Sequence, residues 1–217
     1  MQLLLATTNP NKILEIREVL SMFARLKLRA SCNGTHSAAD DDIELLTLAD
    51  LPPIPAPEET GATFWENARE KALAYARACG LTAAAEDSGL EIAALRGEPG
   101  VASARFLGPA TPYAERFAEI YRRLEQVHGA IRSDARFVTA LSVAQPDGTL
   151  LFETEAVIDG EIAPAPAGAH GFGYDPIFFY PPFARTTAEL TVTEKASVSH
   201  RARAFRDFMR WYRARRV

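Results

Sequence analysis

The chain has 217 residues, 47% of them hydrophobic and 24% charged, with a formal net charge of −4 and a pI near 5.7. That length buries a substantial core yet is short for two average domains, so one domain with two lobes over residues 1–217 is expected. The acidic balance argues against a general nucleic-acid binder and leaves any anionic ligand to locally placed lysines and arginines.

Residues 3–7 (LLLAT) predict a short buried strand, and Asn9-Pro10 then reads as an N-cap with proline at the first helical position. Ile13, Ile16, Leu20 and Phe23 mark one face of that helix. Residues 26–31 (LKLRAS) alternate as a second strand. Residues 33–58 are rich in aspartate and proline, show no clear period, and are expected to form a long surface connection with at most a short helical turn. Thr63 to Glu66 (TFWE) fits a capping box. The helix it opens sets Phe64, Ala68, Ala72, Tyr75 and Cys79 on one face and stops at Gly80.

Residues 81–85 (LTAAA) predict a strand that delivers Glu86 and Asp87 at its carboxyl end. A helix begins at Thr111-Pro112 and runs to Gln126. Two β-rich runs within 136–162, joined by Pro-Asp-Gly, read as a hairpin. Residues 168–182 are a glycine- and aromatic-rich loop, and from Glu194 a helix turns Phe205, Phe208, Met209 and Tyr212 inward with arginines outward.

No apolar run approaches the roughly 20 residues of a membrane helix. The opening MQLLLATTNPNK lacks the basic region of a signal peptide, so no targeting segment is expected. Cys32 and Cys79 stand in neither CxxC nor zinc spacing. Reduced thiols and a cytoplasmic location follow as expectations.

Four stretches carry candidate chemistry. Thr7-Thr8-Asn9-Pro10-Asn11-Lys12 links a strand to a helix start, where backbone N–H groups and the helix dipole attract phosphate; ordinary capping with a solvated lysine is the alternative. Glu58 and Glu59 precede a helix bearing Glu66, Asn67 and Lys71, and Lys71 is either a phosphate ligand or an ion-pair partner on the helix surface. Glu86 and Asp87 form an acidic pair that shares a proton or binds a cation, for which Mg²⁺ suits an all-oxygen set; an Asx-type turn is the alternative. Phe172-Gly173-Tyr174-Asp175, with Lys195 and Ser199-His200-Arg201, offers a ring to stack on a planar base and donors for its keto oxygens.

Together these stretches resemble the inosine triphosphate pyrophosphatases, also called XTP/dITP diphosphatases. The resemblance runs almost the whole length: LATTNPNKILEI, EETGATFWENAREKALAYA, AEDSGLEIAALRGEPGVASARF, GFGYDPIFF and AELTVTEKASVSHRARAF, in that order. It implies an α/β fold, a long twisted mixed sheet flanked by helices, in two lobes with a nucleotide cleft between them. It further implies Mg²⁺-dependent hydrolysis of ITP, dITP and XTP to the nucleoside monophosphate and pyrophosphate, a homodimer, and no nucleic-acid or membrane partner. By the same resemblance, Thr7, Thr8, Asn9, Pro10, Asn11 and Lys12 form the phosphate loop. Glu59 and Asp87 hold Mg²⁺, Asp87 also activates water, and Lys71 and Arg105 contact the triphosphate. Ser88, Phe172, Gly173, Tyr174, Asp175, Lys195, His200 and Arg201 line the nucleotide pocket.

Three departures stand out. Thr8 replaces the glycine common in the phosphate loop, Glu86 replaces a more frequent aspartate, and the 33–58 connection is long and carries Asp40, Asp41 and Asp42. Two other readings remain open. One is a Maf-like pyrophosphatase of pyrimidine or modified nucleotides. The other is a nucleotide- or RNA-binding protein without hydrolysis, favoured by the arginines of the C-terminal segment.

Overall fold

The computed structural model describes residues 1–22, 26–28 and 43–215. In chain order its elements are β1 (Gln2–Leu5), α1 (Pro10–Ser21), β2 (Leu26–Leu28), β3 (Ile43–Thr47), α2 (Phe64–Cys79), β4 (Ala83–Ile92), α3 (Tyr113–His128), β5 (Asp134–Ala144), β6 (Leu150–Ile162), β7 (Phe178–Tyr180), β8 (Arg185–Thr186), α4 (Val192–Val198) and α5 (His200–Ala214). The chain divides into two compact units. The first comprises Met1–Asp87, Ala140–Glu155 and Arg201–Val217; the second comprises Ser88–Thr139 and Ala156–His200.

In the first unit the strand order is β2-β3-β1-β4-β5-β6, with parallel pairing from β2 to β4. Parallel strands buried on both faces read as continuous apolar runs, and Leu3, Leu4 and Leu5 of β1 are all buried. Leu4, Ala6 and Leu46 pack with Ala72, Tyr75 and Ala76 of α2 and with Ala83 and Ala85 of β4. Alanines at these contacts let helix and sheet approach closely. α2 forms where expected: Thr63 accepts from the Glu66 N–H, the Glu66 carboxylate returns to the Thr63 N–H, and Gly80 closes the helix in the left-handed region. On the α5 side, Phe205, Phe208, Met209 and Tyr212 are buried as the periodicity requires, and Phe208 meets Phe152 of β6.

In the second unit the order is β4-β5-β6-β7-β8, antiparallel from β6 to β8. Leu90, Ile92, Phe137, Ile158, Ile162 and Phe178 from the strands pack against Phe117, Ile120 and Leu124 of α3. Gly160 is required here by close approach, because a Cβ would come within 2.5 Å of the Phe179 carbonyl oxygen.

Four expectations need correction. The 33–58 connection contains β3, buried between β1 and β2, followed by a single helical turn at Leu48–Asp50. Its five residues IELLT are a short apolar run whose period is masked by the acidic residues before it. β4 does not end at Asp87 but continues to Ile92, since Ser88-Gly89 stays extended and Leu90 and Ile92 resume burial. The 168–182 loop ends in a strand, with Phe178 and Tyr180 buried and Phe179 paired to Glu161. The C-terminal helix is two helices, broken where Ser199 takes an extended ψ of 152°.

Phe23, Arg29 to Ser31 of the second predicted strand, Cys32, the 33–42 part of the connection with Asp40, Asp41 and Asp42, and Arg216 lie outside the described residues. Cys79 is a free thiol, and no helix among the described residues is long and apolar enough to cross a membrane.

Candidate active site

The phosphate-loop segment is a helix cap before it is anything else. Asn9 takes an extended conformation and its Oδ1 accepts from the Asn11 and Lys12 N–H groups at 2.9 and 3.3 Å, while Thr7 Oγ1 accepts from the Asn9 N–H. Pro10 opens the helix and Thr8, Pro10 and Asn11 are exposed. Thr8 is not among the residues with positive φ, so a side chain at this position carries no left-handed strain. Lys12, in the first turn, extends its ammonium to within 2.8 Å of Glu86 Oε1.

Glu86 and Asp87 are neighbours on β4, and a strand sends adjacent side chains to opposite faces. Each therefore meets different helices. Glu86 pairs with Lys12 of α1 and with Arg201 of α5, whose Nε donates at 3.2 Å. Asp87 pairs with α2: Asn67 Nδ2 donates to Oδ2 at 3.0 Å and Lys71 Nζ to Oδ1 at 3.2 Å. Lys71 also reaches Glu59 at 2.7 Å, so Glu59 and Asp87 converge on one ammonium. Asn67 and Lys71 sit one helical turn apart, and Asn67 Oδ1 accepts the Gly61 N–H, tying the 59–61 segment to the helix.

Burial and charge set the protonation states. For Asp87, desolvation is the largest influence and raises the pKa; Lys71 and the Asn67 hydrogen bond oppose it without cancelling it, so the carboxylate is more basic than usual. For Glu86, desolvation is overcome by Arg201 and Lys12, and the group stays well below the usual carboxylate range. Burial lowers Lys71, but Asp87 and Glu59 outweigh it and hold the ammonium charged. Among the described residues, three cations (Lys12, Lys71, Arg201) thus meet four carboxylates (Glu15, Glu59, Glu86, Asp87).

The second unit holds the aromatic turn. Asp175 is buried, accepts the Phe172 N–H at 2.7 Å and the Thr187 hydroxyl at 2.8 Å, and is ion-paired with Lys195. Lys195 Nζ lies 5.1 Å from the centre of the Phe172 ring, within cation–π range. Gly171 has φ +73°, and a Cβ there would stand 2.2 Å from Asp175 Oδ2. Tyr174 is buried edge-on to Tyr113, its hydroxyl donating to the Ser103 carbonyl. His200 is buried and stacked on Phe137, and Ser88 and the exposed Arg105 also belong to this unit.

The structure thus brings Lys12, Glu59, Lys71 and Asp87 together in the first unit, and Phe172, Gly173, Asp175 and Lys195 in the second. Arg201, expected to face a base, is 2% exposed and committed to Glu86 and Glu15. A cavity of about 900 Å³ in the second unit, lined by Glu91, Arg136, Asp159 and Pro181 among others, contains none of the expected site residues.

The family model described as the Ham1 family matches residues 3–211. The chain belongs to the Ham1 family. It is 44% identical to a dITP/XTP pyrophosphatase of Thermus thermophilus, covering 98% of this chain and 92% of that protein. It is 42% identical to a dITP/XTP pyrophosphatase of Syntrophobacter fumaroxidans, over 98% and 85% respectively. Among solved structures, a HAM1 protein from Coxiella burnetii aligns with TM-score 0.79 and 35% identity over 97% of both chains. The Ham1 protein of Staphylococcus aureus aligns with TM-score 0.79 and 31% identity over 99% of this chain and 100% of that one.

Several contacts around these residues escape a sequence reading. Glu15 and Thr187 are ordinary helix or turn residues until their partners, 186 and 12 positions away, are known. Arg116 is buried on α3 and donates to the carbonyls of Ser103, Ala104, Gly108 and Thr111, wrapping the segment that carries Arg105. The one available signal was a charged residue on the apolar stripe of a helix.

Proposed function

We propose that this chain hydrolyses the triphosphates of deaminated purine nucleosides (dITP, ITP and XTP), releasing the nucleoside monophosphate and pyrophosphate. The observation that carries this reading is the convergence of Glu59 and Asp87 on Lys71, with Lys12 beside them at a helix N-terminus, in a chain of this family. Residues 1–217 act as one enzyme domain, cytoplasmic and homodimeric, without nucleic-acid or membrane partners.

The donor set fits Mg²⁺: two carboxylates already meet around one cation, and oxygen ligands suit this ion. Glu59 and Asp87 would hold it. Bound there, Mg²⁺ supplies the charge neutralisation that phosphoryl transfer requires.

The chain's own groups do the rest. The positive end of the α1 dipole and the Lys12 ammonium take the phosphates, with Lys71 and Arg105 adding positive charge as the phosphorus centre gains electron density. Asp87 accepts a proton from the attacking water; water's oxygen bonds to phosphorus, the α–β bridge opens, and pyrophosphate leaves. Phe172 stacks on the base, with the 172–175 turn held by Lys195. Ser88 and His200 supply polar contacts to the nucleoside, and Arg201 acts through its ion pair with Glu86. A donor facing position 6 is satisfied by the oxygen of hypoxanthine or xanthine and opposed by the amino group of adenine, a mismatch that discriminates strongly.

The test is pyrophosphate release from ITP, dITP, XTP, GTP, ATP and dTTP, with Mg²⁺ and with EDTA. Metal-dependent release concentrated on the first three is expected. Release concentrated on dTTP would replace this reading with a Maf-like one, and no release from any of them would leave a binding protein.

A further inference from the structure

Glu86 has no part in the reaction just described, yet its side chain is 2% exposed and holds two cations from two helices. Its Oε1 receives Lys12 of α1 at 2.8 Å and Arg201 of α5 at 3.2 Å. Arg201 donates in turn through Nη1 to Glu15, one turn along α1 from Lys12. The carboxylate is therefore anchored on one side by a buried guanidinium and restrains the Lys12 ammonium on the other. An unrestrained lysine samples many rotamers, and ordering it on binding an anion weakens the complex.

We propose that Glu86 is a positioning residue: anchored by Arg201, it holds Lys12 in place to receive the triphosphate. The inference rests on the phosphate-loop reading above. Its sign is diagnostic, because Glu86 bears the same charge as the ligand. Were Glu86 only a neighbouring negative charge, neutralising it would tighten anion binding. As the residue that places Lys12, its neutralisation weakens binding instead.

Calorimetric titration with sodium tripolyphosphate in EDTA, where no metal-assisted turnover intervenes, separates the two. Glu86→Gln should raise the Kd about tenfold, the size of one charge-assisted hydrogen bond. In a Lys12→Met background the same substitution should add nothing. Glu15→Gln removes a partner of Arg201 but none of Lys12, and should leave the Kd within about twofold. Glu86→Asp keeps the charge on a shorter stem and should fall between wild type and Glu86→Gln. Thermal melts confirm that each variant is folded; if Glu86→Gln is not, Glu86→Asp carries the comparison, and a Kd equal to or tighter than wild type overturns the proposal. Tighter or unchanged binding in Glu86→Gln overturns it, as does an equal loss in the Lys12→Met background or in Glu15→Gln. If Lys12→Met binds as wild type does, the phosphate-loop reading fails and takes this inference with it. Weakening by Lys12→Met with tightening by Glu86→Gln overturns this inference alone.

Discussion

Asp87→Asn tests the chemistry most directly, because asparagine has the same shape and lacks only the charge. Asp87 receives one hydrogen bond from Asn67 and one from Lys71. An asparagine can accept one of them through its carbonyl and must turn its amide group toward the other donor. The lost charge-assisted bond costs about 1.5–3 kcal/mol of local order, softened because Lys71 keeps Glu59 at 2.7 Å. The loss of a proton acceptor adds roughly 10²- to 10⁴-fold in rate. A kcat at least about 10³-fold below wild type is therefore expected, while Kd for ITP moves by less than about tenfold, since Lys12, Lys71 and the aromatic turn are intact. Pyrophosphate release gives the first quantity, and calorimetry with ITP in EDTA, where Mg²⁺ does not enter, gives the second. Asn67→Ala, which disturbs the orientation of Asp87 but keeps its charge, should lose about tenfold. A kcat for Asp87→Asn within about tenfold of wild type would refute the assignment of Asp87 as base, for one misplaced hydrogen bond accounts for that much.

Three further outcomes follow from the same geometry. Gly171→Ala forces a left-handed φ on alanine and drives its Cβ into Asp175, so a stability loss of about 1–3 kcal/mol and a raised KM for ITP are expected; an unchanged melting temperature would show that the turn is not held as described. Because the pKa of Glu86 is depressed from its ordinary 4.5, its contribution to stability is complete above that value and is lost as pH falls toward the folded-state pKa. Urea melts of wild type and Glu86→Gln should converge between neutral and acid pH, and a constant gap would contradict the ion-pair account. Burial pushes Tyr174 up to about 12 from 10.0, so this group stabilises the fold below its ordinary pKa and ceases to do so as pH rises through about 12. An ultraviolet titration should lose a late-ionising component in Tyr174→Phe; an unchanged curve would place the hydroxyl in solvent.

The elements that could be read from sequence were those whose local and tertiary preferences agree. α2 has a capping box, an apolar stripe and a terminal glycine, and packing adds nothing contradictory. The spelling Thr-x-x-Asp/Glu that announces α2 recurs at Thr47–Asp50, Thr186–Glu189 and Thr191–Glu194, and each occurrence caps a helical turn. Used consistently, it places the one helical turn expected within 33–58 at Leu48–Asp50 and moves the start of α4 from Glu194 to Val192. The related spelling at Ser88–Glu91 is strand, so the pattern alone does not decide; there the burial of Leu90 and Ile92 prevails. β3 was hidden for a different reason. Five residues carry too few periods to stand out against acidic neighbours, and only its pairing with β1 and β2 makes burying them favourable.

The acidic pair on β4 shows where residue chemistry and backbone geometry must be read together. Two adjacent carboxylates invite the idea of one shared proton or one shared cation, which holds in a turn or at a strand end. Within a continuing strand the two-residue period sends them apart, and the identity of each partner then follows from which helix covers which face. Asp87 meets α2, whose Asn67 and Lys71 fix it while leaving it basic. Glu86 meets α1 and α5, whose cations keep it ionised well below the usual carboxylate range. Opposite shifts in neighbouring carboxylates are what separates a group suited to taking up a proton from one suited to holding a charge. The decisive sequence signal was the LEI that follows Ser88-Gly89: its alternation extends the strand through the acids and assigns them to different faces.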